Sequence, residues 1–136
     1  MIRLTYVSIA KDDISPADIN AIEMTAIREN AKRGVTGMLL FNGRNFMQVL
    51  EGKPGDVLET YARLHDDARH SGLIQIMYAP IETRAFPDWS MRVSLVRSAM
   101  GDMNLLTQRH ATLETALPAT VPESVRTMLL SFNALA

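Results

Sequence analysis

The chain has 136 residues, with 14 lysines and arginines, 15 aspartates and glutamates, and no cysteine. This length predicts one domain that needs no cross-link to fold. The missing cysteine excludes disulfides, thiol nucleophiles and cysteine-based zinc sites. The net charge of −1 favours neither nucleic acid nor anionic membrane as a partner. Apolar runs are far shorter than the ~20 residues of a membrane span and no signal peptide is visible, so we expect a cytoplasmic protein.

The first half of the chain shows strand, helix and hairpin patterns in succession. Alternation over residues 2–9 indicates a strand. Ser15, followed by a proline and by an aspartate three positions on, has the spacing of a helix N-terminus, and Gly34 is expected to end that helix. Two apolar strands follow over 35–41 and 46–50, and the Asn-Gly turn between them is typical of a hairpin.

The second half predicts one more helix and two more strands. A Pro-Gly break precedes a helix whose apolar stripe runs from Val57 to Ala68, and this helix is expected to end near His70. Residues 73–79 form a strand that is apolar enough to be central, and residues 89–96 form the last strand. The order of elements predicts an α+β fold, with one mixed sheet and two helices on a single face.

After residue 100 the pattern changes to two short helices, expected over 102–117 and 122–134. Thr120 and Glu123 have capping-box spacing for the second of these helices. The apolar stripe of the second helix consists of Val125, Met128, Leu129 and Phe132. Such a stripe must be buried, and we expect it to cover the free face of the sheet, with self-association of the protein as well.

The sequence matches no catalytic template. It has none of the common nucleophile, phosphate-loop, dinucleotide or metalloprotease motifs. The histidines His65, His70 and His110 do not have the spacing of a metal site. We therefore interpret them as ordinary surface or capping residues and expect no metal.

Three polar residues, Tyr6, Asn30 and Gln48, occupy positions where apolar residues are expected. A buried phenol or amide needs hydrogen-bond partners. In one interpretation they are core residues that bond to the backbone. In the other, their donors and acceptors hold the edge of a flat heteroaromatic ligand. The pattern of residues leaves both interpretations open.

Four further side chains also allow two interpretations. Arg63 and Arg69 lie six positions apart on the second predicted helix, either as solvated charges or as contacts to a phosphate or carbonyl group. Trp89 and Met91 share the inward face of the last strand, where they are either core residues or contacts to a cofactor.

Five segments of the chain occur together in a characteristic order. They are L-T-Y-V-S at 4–8, Asn30 with V-T-G-M-L-L-F at 35–41, F-M-Q-V-L-E-G at 46–52, D-A-R-H at 67–70, and R-A-F-P-D-W-S-M at 84–91. In combination they resemble a BLUF domain, the blue-light sensor that binds a flavin. The resemblance implies a ferredoxin-like βαββαββ sheet with the flavin between its two helices, in agreement with the predicted order of elements.

The resemblance also implies roles for individual residues. Tyr6 occupies the position of the tyrosine that donates an electron and a proton to the excited flavin, and Gln48 that of the glutamine that bridges tyrosine and flavin. Asn30 corresponds to the asparagine that binds the flavin 4-carbonyl and ring amide. Arg69 resembles the arginine that faces the 2-carbonyl side, with His70 beside it.

The remaining positions implied by the resemblance lie around the ring and on the last strand. Arg63 is placed for the phosphate end of the cofactor, and the apolar walls of the ring are Ile22, Phe46 and Leu64. Trp89 and Met91 resemble a pair of residues that changes environment on signalling. Ala26 stands where many members of the family have a serine, so one hydroxyl contact to the flavin is missing.

The implied activity is that of a light sensor and not of an enzyme. Light-driven transfer from Tyr6 and rearrangement of Gln48 change hydrogen bonding to the flavin 4-carbonyl. Because the chain has no cysteine, a flavin–cysteine bond is excluded as the light signal. Two alternatives are a regulatory or dimerisation module that is not photoactive and a small enzyme on the same fold.

The expected organisation is a photosensor over residues 1–96 and a helical extension over 97–136, with no attached output enzyme. The expected cofactor is FAD, with FMN as the alternative. The signal is expected to pass through the last strand to the C-terminal helices and then to an unidentified downstream protein. We also expect a homo-oligomer.

Overall fold

The computed structural model describes residues 1–87 and 117–132 together with the backbone of residues 90–95. These residues form five strands and three helices. They are β1 (Ile2–Ala10), α1 (Pro16–Arg33), β2 (Thr36–Phe41), β3 (Asn45–Gly52), α2 (Pro54–Leu64), β4 (His70–Pro80), β5 (Ser90–Leu95) and α3 (Glu123–Ser131). The predicted α+β class and its βαββαββ order are therefore confirmed.

The five strands form one mixed sheet in the order β4-β1-β3-β2-β5. Strand β5 runs parallel to β2, and the other neighbouring strands are antiparallel. The register of β1 against β3 places Tyr6 directly opposite Gln48. The predicted hairpin is confirmed: the side chain of Asn42 accepts hydrogen bonds from the backbone N–H groups of Arg44 and Asn45.

Helix α1 begins and ends where the sequence predicts. The Ser15 side chain accepts a hydrogen bond from the backbone N–H of Asp18, and the Asp18 carboxylate accepts one from the backbone N–H of Ser15. This capping box satisfies backbone donors that the first helical turn leaves unpaired. At the other end, Gly34 adopts φ 65°, a left-handed conformation that glycine adopts without steric cost.

The alternation of side chains along β3 divides the core between the two faces of the sheet. Phe46 and Leu50 pack with residues of α1 and α2. Met47 and Val49 point to the opposite face and pack with residues of α3. We call these the α1/α2 face and the α3 face.

Helix α3 covers the α3 face, as its apolar stripe predicts. Val125, Leu129 and Phe132 are buried there, and Met128 packs against them. The predicted capping box is wrong, because Pro122 is the N-cap residue and the Thr120 hydroxyl instead donates to the carbonyl oxygen of Ala85 at 2.5 Å. Apart from the buried Leu117, the first predicted tail helix lies outside the described residues.

The predicted end of the second helix is wrong. Helix α2 ends at Leu64, so Arg69 lies in a loop, Ala68 is exposed and His70 is the first residue of β4. The Asp67 carboxylate accepts a hydrogen bond from the backbone N–H of Arg69. A hydrogen bond from a backbone N–H to a short polar side chain competes with the backbone hydrogen bonds that would continue the helix.

The predicted central position of the fourth strand is also wrong. Strand β4 lies at an edge of the sheet, and Ile74, Ile76 and Tyr78 are exposed. An apolar composition therefore did not distinguish an edge strand from a central one. No described helix is long and apolar enough to cross a membrane.

Candidate functional site

A pocket lies between α1, α2 and the sheet. Its empty volume, which includes the open mouth, is about 720 Å³. The structure brings all nine residues named for the cofactor to this pocket: Tyr6, Ile22, Asn30, Phe46, Gln48, Arg63, Leu64, Arg69 and His70. Residues that are distant in sequence thus converge on one site.

Sequence reasoning missed six of the residues that line the pocket. They are Thr25, Glu29, Arg33, Leu39, Thr60 and Asp67. The stripe that Ile22, Ala26 and Asn30 define on α1 also includes positions 25, 29 and 33 at spacings of three and four. Helical periodicity could therefore have identified half of the missed residues.

Tyr6 and Gln48 form the central polar contact of the pocket. The Tyr6 hydroxyl donates to Gln48 Oε1 at 2.6 Å, and the two residues are only 1% and 2% exposed. Burial raises the pKa of the Tyr6 phenol, and the nearby negative charge of the Asp67 carboxylate raises this pKa further. The phenol is therefore neutral and acts as a hydrogen-bond donor throughout the physiological pH range.

Asn30 supplies a second amide to the pocket from the last turn of α1. Its backbone carbonyl accepts a hydrogen bond from the backbone N–H of Val35, which fixes the end of the helix. The residue is 4% exposed, yet within the described residues no hydrogen bond holds its side-chain amide. A buried amide that lines a pocket is stable only with a partner, so the donor set fits a planar ligand with adjacent acceptor and donor groups.

His70 is buried beside Tyr6, so the interpretation of this histidine as a surface residue is wrong. Its Nε2 lies 3.0 Å from the carbonyl oxygen of Leu64, and its Nδ1 lies 2.8 Å from the Ser8 hydroxyl. Because a carbonyl only accepts, Nε2 carries the proton and Nδ1 accepts from Ser8. Burial lowers the His70 pKa and outweighs the opposing effect of Asp67, so the imidazole is neutral.

The pocket walls and mouth carry several charges. The Arg69 guanidinium binds the Asp67 carboxylate through two nitrogens, at 2.9 and 2.7 Å. These hydrogen bonds hold the Asp67 pKa below its usual range against the opposing effect of burial. On α2, Arg63 lies 3.7 Å from the Glu29 carboxylate of α1, so an ion pair joins the two helices beside the pocket.

A second polar network lies on the α3 face, and sequence reasoning missed it. The Glu51 carboxylate is fully buried and accepts a hydrogen bond from Arg3 Nε at 2.8 Å. It also accepts from the backbone N–H groups of Ala85 and Phe86, at 3.0 and 2.8 Å. This network fixes the loop between β4 and β5 to strand β3.

Two residues named for signalling remain predictions. Trp89 lies outside the described residues, and only the backbone of Met91, in β5, is described. Among the described residues, no cluster of three or more histidines, aspartates or glutamates is placed to hold a metal ion.

Comparison with protein families identifies the fold. The family model BLUF, described as sensors of blue light using FAD, matches residues 1–92. The chain is 33% identical over 125 residues to photoactivated adenylate cyclase subunit beta of Euglena longa, covering 87% of this chain and 14% of that protein. It is 30% identical to subunit alpha of Euglena gracilis, covering 89% and 13%. The chain thus spans about one seventh of the length of these relatives.

Solved structures show the same relationship. The dark-state structure of BlrB, a BLUF protein, superposes with a TM-score of 0.72 at 29% identity, covering 99% of this chain and 96% of that one. Klebsiella pneumoniae BlrP1, solved with FMN and cyclic diGMP, superposes with a TM-score of 0.73 at 27% identity, covering 98% and 34%. The chain therefore belongs to the BLUF family of blue-light sensors that use a flavin.

Proposed function

We propose that this chain senses blue light through a flavin held non-covalently in the pocket, with Tyr6 and Gln48 as the photochemical switch. The observation that carries the proposal is the buried 2.6 Å hydrogen bond from the Tyr6 hydroxyl to Gln48 Oε1 at the pocket wall. A phenol and an amide in this arrangement can exchange a proton and then change their hydrogen-bond pattern without moving the backbone.

In this proposal, polar residues of the pocket bind the edge of the flavin ring and apolar residues pack against it. The Asn30 amide offers one donor and one acceptor, which match the adjacent carbonyl and N–H groups of the flavin edge. Arg69 faces the second ring carbonyl, with the neutral imidazole of His70 beside it. The apolar walls consist of Ile22, Phe46 and Leu64.

Tyr6 is proposed as the donor of one electron and one proton. When bound, the flavin absorbs blue light and becomes a strong one-electron oxidant. Because burial keeps the Tyr6 phenol protonated, loss of its electron has to be accompanied by loss of its proton. Gln48 Oε1 is the acceptor already in place for that proton. In the reverse step, electron and proton both return to Tyr6, so no substrate is consumed and the domain is a switch instead of an enzyme.

Gln48 is proposed to store the signal. Its amide carries an acceptor at one end and a donor at the other, so rotation or tautomerisation changes which group faces Tyr6 and which faces the ring. A new or stronger hydrogen bond to the flavin 4-carbonyl shifts the absorption to longer wavelength. Such a local change in hydrogen bonding is sufficient to bias a two-state element.

The route from the pocket to a partner is proposed to pass through the last strand. In this proposal, residues 1–96 form the sensor, residues 97–136 form the helical extension, and Trp89 and Met91 respond to the change at Gln48. The support is that β5 pairs with β2 and that α3 packs on the opposite face of the same sheet. The signal would then reach an unidentified downstream protein in the cytoplasm, or another copy of this chain in a homo-oligomer.

FAD is proposed as the natural flavin, with FMN as the alternative. The family description names FAD, whereas the BlrP1 structure contains FMN. Mass analysis of the flavin released from the purified protein distinguishes the two.

An absorption spectrum before and after blue illumination tests the proposed switch. The wild-type protein is expected to show flavin bands with a small reversible red shift. Tyr6→Phe should keep the flavin and lose the shift, because it removes only the phenolic hydroxyl. Tyr61→Phe is the matched control, since the ring of Tyr61 lies 5.4 Å from that of Tyr6 and packs against the core cluster that contains Tyr6. A normal photocycle in Tyr6→Phe would refute the role of Tyr6, and a folded wild-type protein that takes up no flavin would favour the non-photoactive module.

A further inference from the structure

A tight ion pair lies on the pocket wall just before the chain enters β4. The Arg69 guanidinium donates from Nε to Asp67 Oδ1 at 2.9 Å and from Nη2 to Asp67 Oδ2 at 2.7 Å. Both residues line the pocket, and their side chains are 25% and 21% exposed. The two other arginines that the structure places at the pocket, Arg33 and Arg63, lie 3.5 and 3.7 Å from the Glu29 carboxylate. Of the three, Arg69 is therefore the most closely paired with an acid.

The pair leaves part of the Arg69 guanidinium available to a ligand. A guanidinium carries five N–H donors, and Asp67 accepts from two of them, so three remain. Among the described residues, no further side-chain hydrogen bond or ion pair holds this guanidinium. Arg69 can thus donate to a carbonyl group in the pocket while Asp67 balances its charge.

The local backbone does not require the negative charge of Asp67. Its carboxylate accepts a hydrogen bond from the backbone N–H of Arg69 at 2.9 Å, and this contact stabilises the turn that follows α2. The side-chain oxygen of an asparagine can accept the same hydrogen bond. The hydrogen bonds from Arg69 also hold the Asp67 pKa below its usual range, so Asp67 is ionised at neutral pH. An effect on the pocket accounts for a charge that the turn does not need.

We propose that Asp67 is a positioning residue that keeps the bound flavin oxidised in the dark, because its carboxylate balances the charge of Arg69 beside the ring. This inference rests on the proposed function, in which Arg69 faces the second ring carbonyl. Reduction of a flavin places negative charge along that edge of the ring, and charges held near the ring tune its redox properties. An unpaired guanidinium would stabilise this negative charge strongly, whereas a neutral pair stabilises it much less.

His70 extends the same wall without adding charge. Burial lowers the pKa of its imidazole, and the positive charge of Arg69 lowers it too. The Asp67 carboxylate opposes both effects without outweighing them. With His70 neutral and Arg69 paired, these three residues together carry no net charge. The oxidised ring is the form that absorbs blue light, so a neutral wall preserves the light-sensing form in the presence of cellular reductants.

The midpoint potential of the bound flavin tests the inference. Asp67→Asn keeps an acceptor for the turn and removes the negative charge. The potential, measured in the dark against a redox dye, should rise because reduced flavin binds about tenfold more tightly relative to oxidised flavin, the scale of one charge-assisted hydrogen bond. This ratio corresponds to about 30 mV for a two-electron couple. Asp66→Asn is the matched control, since Asp66 is the adjacent residue and is exposed, and it should leave the potential unchanged.

Two further measurements separate an electrostatic role of Asp67 from a structural one. The double variant with Asp67→Asn and Arg69→Gln also loses the positive charge, so its potential should return to the wild-type value or fall below it. The second measurement uses the apoprotein and needs no flavin. The His70 pKa, followed by NMR titration, should be lower in Asp67→Asn than in the wild type, because Arg69 then acts on the imidazole without its counter-charge.

Several results would overturn the inference while leaving flavin binding by the wild-type protein intact. One is a potential in Asp67→Asn that equals that of Asp66→Asn or falls below it. Loss of flavin from Asp67→Asn alone would also overturn it, since Asp67 would then serve binding and not the potential. A double variant whose potential stays as high as that of Asp67→Asn, or an unchanged His70 titration, would do the same. Failure of the wild-type protein to bind flavin would instead overturn the proposed function.

Discussion

The buried Glu51 network offers the most stringent test of the structural reasoning. In Glu51→Gln the carboxylate becomes a neutral amide of nearly the same size. Oε2 of Glu51 accepts from both Arg3 Nε and the Ala85 N–H. An amide N–H₂ group at that position would face two hydrogen-bond donors. In addition, the guanidinium of Arg3 would lose its ionic partner, although Arg3 is only 7% exposed.

The expected loss of stability follows from that geometry. Removing one member of a buried ion pair typically costs about 3–5 kcal/mol, because the remaining charge is left without compensation. We expect a loss in this range for the free energy of unfolding, measured by urea denaturation at a fixed flavin concentration, since bound ligand adds to apparent stability. Glu82→Gln, in an exposed position of the same loop, is the control and should change stability by less than about 0.5 kcal/mol. A loss below about 1 kcal/mol in Glu51→Gln would refute the claim that this network is desolvated.

Three further predictions concern His70, α3 and the hairpin. Because burial lowers the His70 pKa, the unfolded chain binds more protons than the folded one, and stability should fall as pH decreases below about 6.5. Urea denaturation between pH 5 and 7 should show this fall in the wild type and a smaller one in His70→Gln; equal slopes would contradict the assignment. Leu129→Ala should cost about 2–5 kcal/mol in thermal or urea unfolding because Leu129 is fully buried under α3. Leu58→Ala, at a position 45% exposed, is its control and should cost far less, so similar losses would argue against burial by α3. Asn42→Ala removes the acceptor of two backbone N–H groups in the hairpin and should cost about 1–2 kcal/mol; an unchanged urea midpoint would contradict it.

The parts of the fold that sequence predicted well are those fixed by local chemistry. The capping box at Ser15 and the left-handed Gly34 depend on residues within one or two helical turns, and both are present. The Asn42 hairpin depends on four residues. In each case neighbouring residues supply the hydrogen-bond partners, so the pattern is sufficient to predict the structure.

The predictions from sequence were wrong where the structure depends on pairing between distant strands or on a local hydrogen bond that competes with the helix. Strand β4 has an apolar composition, but its position at the edge follows from pairing with β1 and from the order of the whole sheet. The stripe from Val57 to Ala68 fits a helix, but the Asp67 carboxylate binds the backbone of Arg69 and the chain leaves the helix before that point. Composition alone contains neither piece of information.

The pocket and the Glu51 network show why one polar set was recognised and the other was not. Both use strand β3, whose alternation places Gln48 on the α1/α2 face and Glu51 on the α3 face. An amide within an apolar strand departs from the expected pattern, so Gln48 was predicted as a site residue together with Tyr6 and Asn30. A glutamate at the end of a strand is predicted to be solvated unless another element covers that face of the sheet. Here α3 and the loop at Ala85 cover that face. The buried charge of Glu51 is compensated by Arg3, which lies 48 residues away in the sequence. The sequence predicted a helix that covers this face. The apolar stripe of that helix, together with the two-residue alternation of β3, was therefore sufficient to predict that Glu51 is buried.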